Sequence, residues 1–405
     1  MKNCKDELKE EYSFFGNFET SFIQLSKADQ LTKEGQRTMF EMGKRASQNF
    51  GELLNVPSYS PLDFHFRSTS YPRVLQSAQA FAYSLFEGKG PLPGGFESVA
   101  IASQIDDDLL LRFFANCKNY ESNVLKNETA FEEATLFYEQ TFPELIRKLN
   151  ERVFSSGRNS NSKCKIEEVW SALYLCQLEL INLNTSQTCS IFSEKDLEGI
   201  NYYYDLLFYW KRGYPHKISF QISNFLLSQV LSSLSTKQTP HSFLYFAHAE
   251  TLLPLFCLLG LFNDSQPLLA SNQNINRTFQ TRQMIPFSSN LQISLFECPK
   301  NKRLVGLMVN EKQVELPFCG NHSTNKFFCD FDFFSKSLNF SFDLNKTCGI
   351  FDCQSAQNEF NSLLREKFFL LLSLSFLFLL SLILLFALIY KMRNGAYSNL
   401  EMVVN

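Results

Sequence analysis

The stretch FAHAETLLPLFCLLGLF, residues 246–262, places an imidazole and a carboxylate where a buried strand is expected to pass into a buried helix. His248 and Glu250 lie two residues apart, and an apolar helical pattern begins directly after them. Burying either group costs free energy unless the group is paired or used in a site. This junction is therefore the first candidate for a functional site.

A second strand-to-helix junction, RSTSYPR at residues 67–73, carries two arginines and a run of hydroxyl groups. In open α/β sheets, ligands bind beyond the carboxyl ends of the strands, and helix N-termini there favour anions. The planar fork of Arg67 or Arg73 would donate two hydrogen bonds to one phosphate. A nearby carboxylic acid would protonate a leaving alcohol. Together the junctions predict a phosphate site in which His248 holds the phosphate and Glu250 gives the proton.

Simpler interpretations of the same residues stay open at this point. Arg67 and Arg73 also fit ordinary surface arginines, and His248 also fits a core histidine with its hydrogen bonds satisfied. Pattern alone thus supports a phosphate site as a hypothesis, with Arg67 as a further candidate for substrate binding.

The elements around the junctions decide where these side chains lie. Strand–helix units are predicted in residues 1–104 and again in 236–345, whereas 105–235 has a mostly helical pattern. Alternating apolar and polar residues predict a strand at 62–66, and residues 285–318 predict a hairpin that turns at PKNKR. This order predicts an α/β core in two parts, with an α-helical domain inserted between them.

Bulk composition excludes one class of function. The chain has 405 residues, of which 45% are hydrophobic, and a net charge of -3. Such a chain has ample material for a packed core, but it lacks the basic excess of a general nucleic-acid-binding protein. We expect no nucleic-acid partner, and the composition leaves the oligomeric state open.

The C-terminal part contains a candidate membrane anchor. Residues 368–390 carry no charged side chain and are long enough to cross a bilayer core of ~30 Å. A buried core helix is the alternative, but such helices rarely run this long without a polar face. We predict a stalk at 346–367, a transmembrane helix at 368–390 and a cytoplasmic tail at 391–405.

Sequons indicate which side of the membrane the rest of the chain faces. All N-x-S/T sequons precede the anchor, at Asn127, Asn184, Asn263, Asn276, Asn321, Asn339 and Asn345. Their position predicts that residues 1–367 are lumenal or extracellular and glycosylated. The expected location is the plasma membrane, the endoplasmic reticulum or another compartment of the secretory pathway.

Cysteines and the N-terminus add two expectations. The chain has 11 cysteines, which in a secretory chain indicate disulfides rather than metal ligands. The start, MKNCKDELKEEYSFFGNFET, lacks the apolar region of a signal peptide. Either the membrane anchor directs insertion or Met1 is not the natural N-terminus.

Several segments between about residues 28 and 355 carry a family resemblance. In chain order they are LTKEGQRTMFEMGKRASQNF, RSTSYPRVLQSAQAFAYSLF, LLLRFFANCKNYESNVLKN, YWKRGYPHKI, FAHAETLLPLFCLLGLF, IPFSSNLQISLFEC and VNEKQVELPF. They resemble successive blocks of the histidine acid phosphatase family, most closely its multiple inositol polyphosphate phosphatase branch. His-Ala-Glu at 248–250 is similar to the proton-donor motif of that branch, where other acid phosphatases usually carry His-Asp.

The resemblance implies a fold and a reaction. The fold is a histidine-phosphatase-like three-layer α/β core with an inserted α-helical domain. The reaction removes phosphate from inositol polyphosphates, phytate-like substrates, through a phosphohistidine, with no metal or other cofactor. Arg73 and His248 would bind the phosphate, and Glu250 would be the general acid. Lys211 and Arg212 would bind outlying phosphates, although a solvated basic turn fits them equally well.

One departure from the family pattern is large. The family's first strand ends in Arg-His-Gly, which supplies the nucleophile, and this chain has no such motif. Its histidines are His65, His216, His241, His248 and His322, and none has that context. We expect the first core strand to be missing, through a gene model or splicing that truncates the N-terminus, and the chain to be poorly stable.

The resemblance also implies disulfides. Cys176 would pair with Cys189, Cys319 with Cys329, and Cys348 with Cys353. Cys298 would join a cysteine that lies just before the missing motif, and each lost bridge would typically cost a few kcal/mol.

Competing functions remain. The first is a membrane-anchored phosphomonoesterase acting on inositol polyphosphates. The alternative is a catalytically inactive membrane glycoprotein of the same fold that binds anionic ligands through Arg73, His248 and basic neighbours. A third is a phosphatase of broad or phosphoglycerate-directed specificity, which the His-Ala-Glu motif disfavours.

Overall fold

The computed structural model describes residues 8–16, 29–155, 169–236, 242–338 and 343–349, and, near the C-terminus, 361, 363–365, 367–369 and 379–390. The chain divides into two compact units, Met1–Gly349 and Ile350–Asn405. The first unit is a mixed α/β fold and contains all of the candidate site residues.

The strands of the first unit are β1 (Phe64–Thr69), β2 (Ile101–Gln104), β3 (Ser242–Phe246), β4 (Leu291–Cys298), β5 (Lys302–Val309), β6 (Lys312–Gln313), β7 (Ser323–Asn325) and β8 (Phe328–Asp330). Its helices are α1 (Lys33–Asn49), α2 (Gly51–Leu54), α3 (Pro72–Leu85), α4 (Lys118–Tyr120), α5 (Glu132–Val153), α6 (Val169–Leu183), α7 (Glu194–Arg212), α8 (Lys217–Gln221), α9 (Asn224–Ser235), α10 (Ala249–Leu258), α11 (Thr281–Met284), α12 (Phe331–Ser337) and α13 (Leu344–Cys348). Short 3-10 turns lie at Glu10–Gly16, Pro93–Gly95, Phe113–Ala115, Glu128–Phe131, Thr188–Ile191, Pro299–Asn301 and Pro317–His322, and a π turn lies at Glu121–Leu125.

Three parallel strands carry the candidate site. Their order is β2-β1-β3, so the two predicted strand-to-helix junctions follow neighbouring strands. Phe64 and Phe66 of β1 are buried against α1 and α3, together with Phe81 and Leu85. The predicted strand at 62–66 is thus confirmed in type, but Leu62 precedes β1 and is exposed.

His65 points to the opposite face of β1 from Phe64 and Phe66. Its ring lies 5.9 Å from Phe243 and 6.1 Å from Tyr245, both on β3. Burial, followed by the charge of Arg67, lowers the pKa of His65 below its ordinary value. His65 therefore packs on this face of the sheet against aromatic side chains of β3.

The antiparallel sheet has the order β4-β5-β8-β7, and β6 pairs with β5. β4 and β5 form the predicted hairpin, with Leu291 opposite Val309 and Cys298 opposite Lys302. Lys300 and Asn301 take positive φ angles of 63° and 56° in the turn. Among the described strands, β3 pairs only with β1 and β4 only with β5, so each leaves one edge unpaired.

The segment between β2 and β3 is mainly helical, as predicted. Its core includes Phe142 and Leu149 of α5, Ala172 of α6 and Ile200 of α7. The 3-10 turn Glu10–Gly16 packs into the same core. Residues 1–104 were predicted to belong to the first part of the α/β core, but the turn Glu10–Gly16 packs against the helical region instead.

Disulfides follow the implied pattern in two cases. Cys176 pairs with Cys189, and Cys319 pairs with Cys329. The implied Cys348–Cys353 pair is wrong, because Cys348 pairs with Cys117 across a sequence separation of 231. Cys353 lies outside the described residues.

The predicted transmembrane helix at 368–390 falls partly outside the described residues, which omit 370–378. Among the described residues, no helix is both long enough and apolar enough to cross a membrane. Sequon asparagines with exposed side chains are Asn127, Asn184, Asn263, Asn276, Asn321 and Asn345. Asn339 lies outside the described residues.

Candidate phosphate-binding site

The two predicted junctions meet at the carboxyl ends of β1 and β3. Thr69 is the last residue of β1, and His248 is the N-cap residue of α10. A hydrogen bond of 3.1 Å joins Thr69 Oγ1 to His248 Nε2. Depending on the tautomer, Nε2 accepts from the hydroxyl or donates to it. Thr69 is fully buried, so it fixes one edge of the imidazole.

Two aromatic rings pack against the His248 imidazole. Tyr71 lies 5.2 Å from it and Phe114 lies 5.9 Å from it, both in edge-to-face geometry. Burial lowers the pKa of His248 to about 4, the nearby Glu250 acts in the opposite direction, and Arg73 and Arg112 lower it further. At neutral pH the imidazole is therefore uncharged and offers a single N–H.

Glu250 lies in the first turn of α10, two residues after His248. Its Oε1 is 3.7 Å from Arg212 Nη2, a distance for charge attraction rather than a hydrogen bond. The side chain is 35% exposed, so a ligand can reach the carboxyl group. The imidazole of His248 and the carboxyl group of Glu250 therefore both lie at the start of α10, just after the end of β3.

Arg212 and Lys211 end α7, and only one of them turns towards this group. The Arg212 guanidinium lies 5.6 Å from the Phe114 ring and beside Glu250. Lys211 Nζ instead lies 3.8 Å from the Phe131 ring. Burial, followed by the charge of Arg212, lowers the pKa of Lys211. Arg212 therefore belongs to the site, while no described contact joins Lys211 to His248 or Glu250.

Arg73 and Arg67 take different positions. Arg73 Nη1 is 3.2 Å from Asp29 Oδ1, and its guanidinium stacks at 5.0 Å on Tyr71. The Arg73 side chain is 41% exposed, so it is open to a ligand. Arg67 instead donates from Nη2 to Asp108 Oδ1 and to Gln104 Oε1, each at 3.1 Å. Arg67 is therefore paired with protein groups through Nη2, although its buried Nε has no partner among the described residues.

Arg112 joins the site without having been singled out in the sequence. Its guanidinium lies 4.7 Å from the Tyr71 ring and 5.9 Å from the Phe114 ring, the two rings that flank His248. The signal available in the sequence was a single arginine inside the apolar run LLLRFF. An isolated charge in such a run needs a partner or a use.

The described residues of the site have an excess of guanidinium groups. Arg73 and Arg112 act on the uncharged His248, Arg212 lies beside Glu250, and all three suit a phosphate or another oxyanion. No cluster of metal-ligating side chains occurs among the described residues. Of the other described histidines, His216 bonds to Ala130 O at 2.8 Å and His322 stacks on Phe333. His241 lies outside the described residues.

Comparison with known proteins gives one family. A model described as "Histidine phosphatase superfamily (branch 2)" matches residues 1–310. Multiple inositol polyphosphate phosphatase 1 of Gallus gallus is 33% identical over 303 residues, which are 71% of this chain and 64% of that protein. The Homo sapiens protein of the same name is 28% identical over 349 residues, which are 82% of this chain and 70% of that one. The chain thus spans about two thirds of the length of these relatives.

Solved structures share the fold. A phytase from D. castellii superposes with a TM-score of 0.65 at 18% identity, covering 85% of this chain and 74% of that one. A multiple inositol polyphosphate phosphatase of Bifidobacterium longum, in complex with inositol hexasulfate, gives a TM-score of 0.58 at 16% identity, covering 76% and 79%. At these identities the likeness concerns the fold alone.

Proposed function

The chain belongs to the histidine phosphatase superfamily (branch 2), and from this membership we propose that its site binds inositol polyphosphates and that the chain is a phosphomonoesterase for them. The observation that carries the proposal is the Thr69–His248 hydrogen bond of 3.1 Å, which brings both phosphate-binding junctions to one place. The names of the relatives support the choice of substrate class.

Each residue has a role in the proposed site. Arg73 donates to non-bridging oxygens of the phosphoryl group, and neutral His248 donates its one N–H to another. Glu250, as the general acid, gives a proton to the leaving inositol oxygen while the bond from that oxygen to phosphorus breaks and a nucleophile forms the new bond to phosphorus. Arg212, which lies beside Glu250, binds negative charge on a further phosphate.

The nucleophile decides between two forms of this proposal. A phosphohistidine route needs an imidazole that faces the phosphorus in line with the leaving group. The sequence has no Arg-His-Gly motif, and the described histidines apart from His248 are engaged elsewhere. The second candidate function is a protein of the same fold that binds inositol polyphosphates without hydrolysing them, and formation of a phosphohistidine distinguishes the two.

Two measurements on the full chain test both candidates. Calorimetric titration with inositol hexakisphosphate asks whether the site binds, with Arg73→Gln and His248→Gln expected to weaken binding by tenfold or more. Rapid quench into alkaline detergent with 32P-labelled substrate asks whether a phosphohistidine forms, because its P–N bond survives alkali and is hydrolysed in acid. Binding with labelling supports the phosphatase, and binding without labelling supports the second candidate. The absence of binding would contradict both.

We also propose that residues 1–367 are lumenal or extracellular and anchored by 368–390. The exposed asparagines of the described sequons support glycosylation, which requires accessible side chains. Removal of N-glycans from the protein expressed in animal cells should shift its gel mobility. Protease added to intact microsomes should trim only the C-terminal tail. An unshifted band, or digestion of the larger part, would contradict this topology.

A further inference from the structure

We propose that Arg112 is a substrate-binding residue that takes a phosphate neighbouring the one at His248, and so makes the site prefer polyphosphates over a lone phosphate. The inference rests on the proposed function and assigns a specificity-determining role within it. Four observations lead to it: the turn that holds Arg112, the rings it contacts, its missing counter-ion and its relation to Arg212.

The turn before Arg112 is held by its own hydrogen bonds and by contacts to two other elements. The backbone N–H of Arg112 donates to the backbone carbonyl of Asp108 at 2.9 Å and closes the turn. Asp108, which is 2% exposed, accepts the N–H groups of Leu110 and Leu111 at 3.1 and 3.0 Å. The Thr251 hydroxyl donates to Leu111 O at 2.7 Å. The turn is therefore fixed to β1 through the Arg67–Asp108 pair and to α10 through Thr251.

The side chain of Arg112 is held by rings rather than by charges. Its guanidinium contacts both Tyr71 and Phe114, and both rings also contact His248. A guanidinium that stacks on aromatic faces keeps its in-plane donors free for an oxyanion. This arrangement positions the cation without using its hydrogen-bonding capacity.

Arg112 lacks a counter-ion among the described residues. Arg73 has Asp29, Arg212 has Glu250 and Arg67 has Asp108, whereas no described carboxylate pairs with Arg112. Its Nε is buried and donates to no described group. The buried Nε of Arg67 also lacks a partner, but Arg67 has Asp108 as its counter-ion, so the missing carboxylate is what distinguishes Arg112. An anionic ligand supplies the charge that the protein leaves out.

The place of Arg112 relative to Arg212 points to a second phosphate. The two guanidinium groups lie 5.9 and 5.6 Å from the same Phe114 ring. Arg212 approaches Glu250 only to 3.7 Å, so its charge is incompletely paired as well. One phosphate at His248 and Arg73 leaves these two cations for another phosphate of the same inositol ring.

The test measures two dissociation constants for the full chain, for inositol hexakisphosphate and for inorganic phosphate. In Arg112→Gln we expect the affinity for inositol hexakisphosphate to fall at least tenfold, while that for inorganic phosphate changes less than twofold. Arg112→Lys, which keeps a cation on Tyr71, should lose less. Arg147→Gln, on α5 with ion pairs only to glutamates of its own helix, is the matched control and should bind as wild type does.

Each other outcome has a distinct meaning. Wild-type affinity for inositol hexakisphosphate in Arg112→Gln overturns the inference and leaves the proposed function standing. An equal loss for both ligands also overturns it, because Arg112 would then bind the phosphate at His248. If the wild-type chain binds neither ligand, the proposed function fails and this inference fails with it. Should Arg112→Gln not fold, Arg112→Met, which removes the cation and keeps an unbranched side chain, decides, and wild-type affinity for both ligands in that variant overturns the inference.

Discussion

The hydroxyl of Thr251 donates to the carbonyl of Leu111 at 2.7 Å, and both residues are buried. This hydrogen bond joins the first turn of α10, which carries Glu250, to the turn that ends at Arg112. The same hydroxyl oxygen accepts a hydrogen bond from the backbone N–H of His248, with 3.4 Å between nitrogen and oxygen. The Thr251 side chain thus links two parts of the site: the backbone of His248 and the turn that ends at Arg112.

Thr251→Val is expected to lower the free energy of unfolding by about 1–3 kcal/mol, because it leaves a buried carbonyl without its donor. Urea denaturation of the full chain measures this change. Thr251→Ser keeps the hydroxyl and should recover most of the loss. Equal destabilisation by valine and serine would show that the methyl group, and not the hydrogen bond, accounts for the effect.

The Cys117–Cys348 disulfide predicts a second effect on stability. It closes a loop of 231 residues, whereas Cys176–Cys189 closes one of 13. In the chain-entropy account a longer loop gives the larger stabilisation, typically about 2–4 kcal/mol. We therefore expect the double variant Cys117→Ser, Cys348→Ser to lower the thermal midpoint more than Cys176→Ser, Cys189→Ser. The reverse order in calorimetry would refute the entropic account for this chain.

The buried Arg277–Asp205 ion pair predicts a third effect on stability. Arg277 Nε donates to Asp205 Oδ2 at 2.7 Å, and both side chains are almost fully buried. Asp205→Asn removes the charge and leaves Arg277 unpaired, so we expect a loss of about 3–5 kcal/mol. The double variant Asp205→Asn, Arg277→Met removes both charges and should be less destabilised than the single one. Chemical denaturation of the wild type, Asp205→Asn, Arg277→Met and the double variant would expose non-additivity, and simple additivity would count against direct pairing.

The strand-to-helix junctions were predictable because the pattern that marks them is local. Alternation in β1 places Phe64 and Phe66 on the buried face, and an apolar run followed by a helical pattern marks the start of α10. Neighbouring parallel strands then bring Thr69 and His248 together by topology alone. For these residues, periodicity carries the three-dimensional information.

Other parts of the site depend on contacts between distant segments. Successive residues on a helix point about 100° apart, so the sequence KR could not tell which of Lys211 and Arg212 faces Glu250. The position of Arg112 depends on Asp108 and on Thr251, the latter far along the chain. The pairing of Cys348 with Cys117 likewise depends on tertiary approach. None of these leaves a periodic signal.

Removing either cation near His248 should change its titration. Arg73 and Arg112 both lower the pKa of His248, because a positive neighbour disfavours the imidazolium. Arg73→Gln and Arg112→Gln should therefore each raise this pKa, as followed by NMR of the labelled imidazole. Arg147→Gln, outside the site, should leave it unchanged. An unaltered pKa in Arg112→Gln would place that guanidinium away from His248.

Acid should destabilise the fold through His248. Burial lowers its pKa from 6.5 to about 4, so between these values the unfolded chain binds more protons than the folded one. The free energy of unfolding therefore falls as the pH falls from 6.5 to 4, and this contribution is fully present only above pH 6.5. In His248→Gln the same titration is absent, so its stability should fall less over that range. Urea denaturation at several pH values compares the two proteins, and parallel pH profiles would exclude His248 as the source of the acid sensitivity.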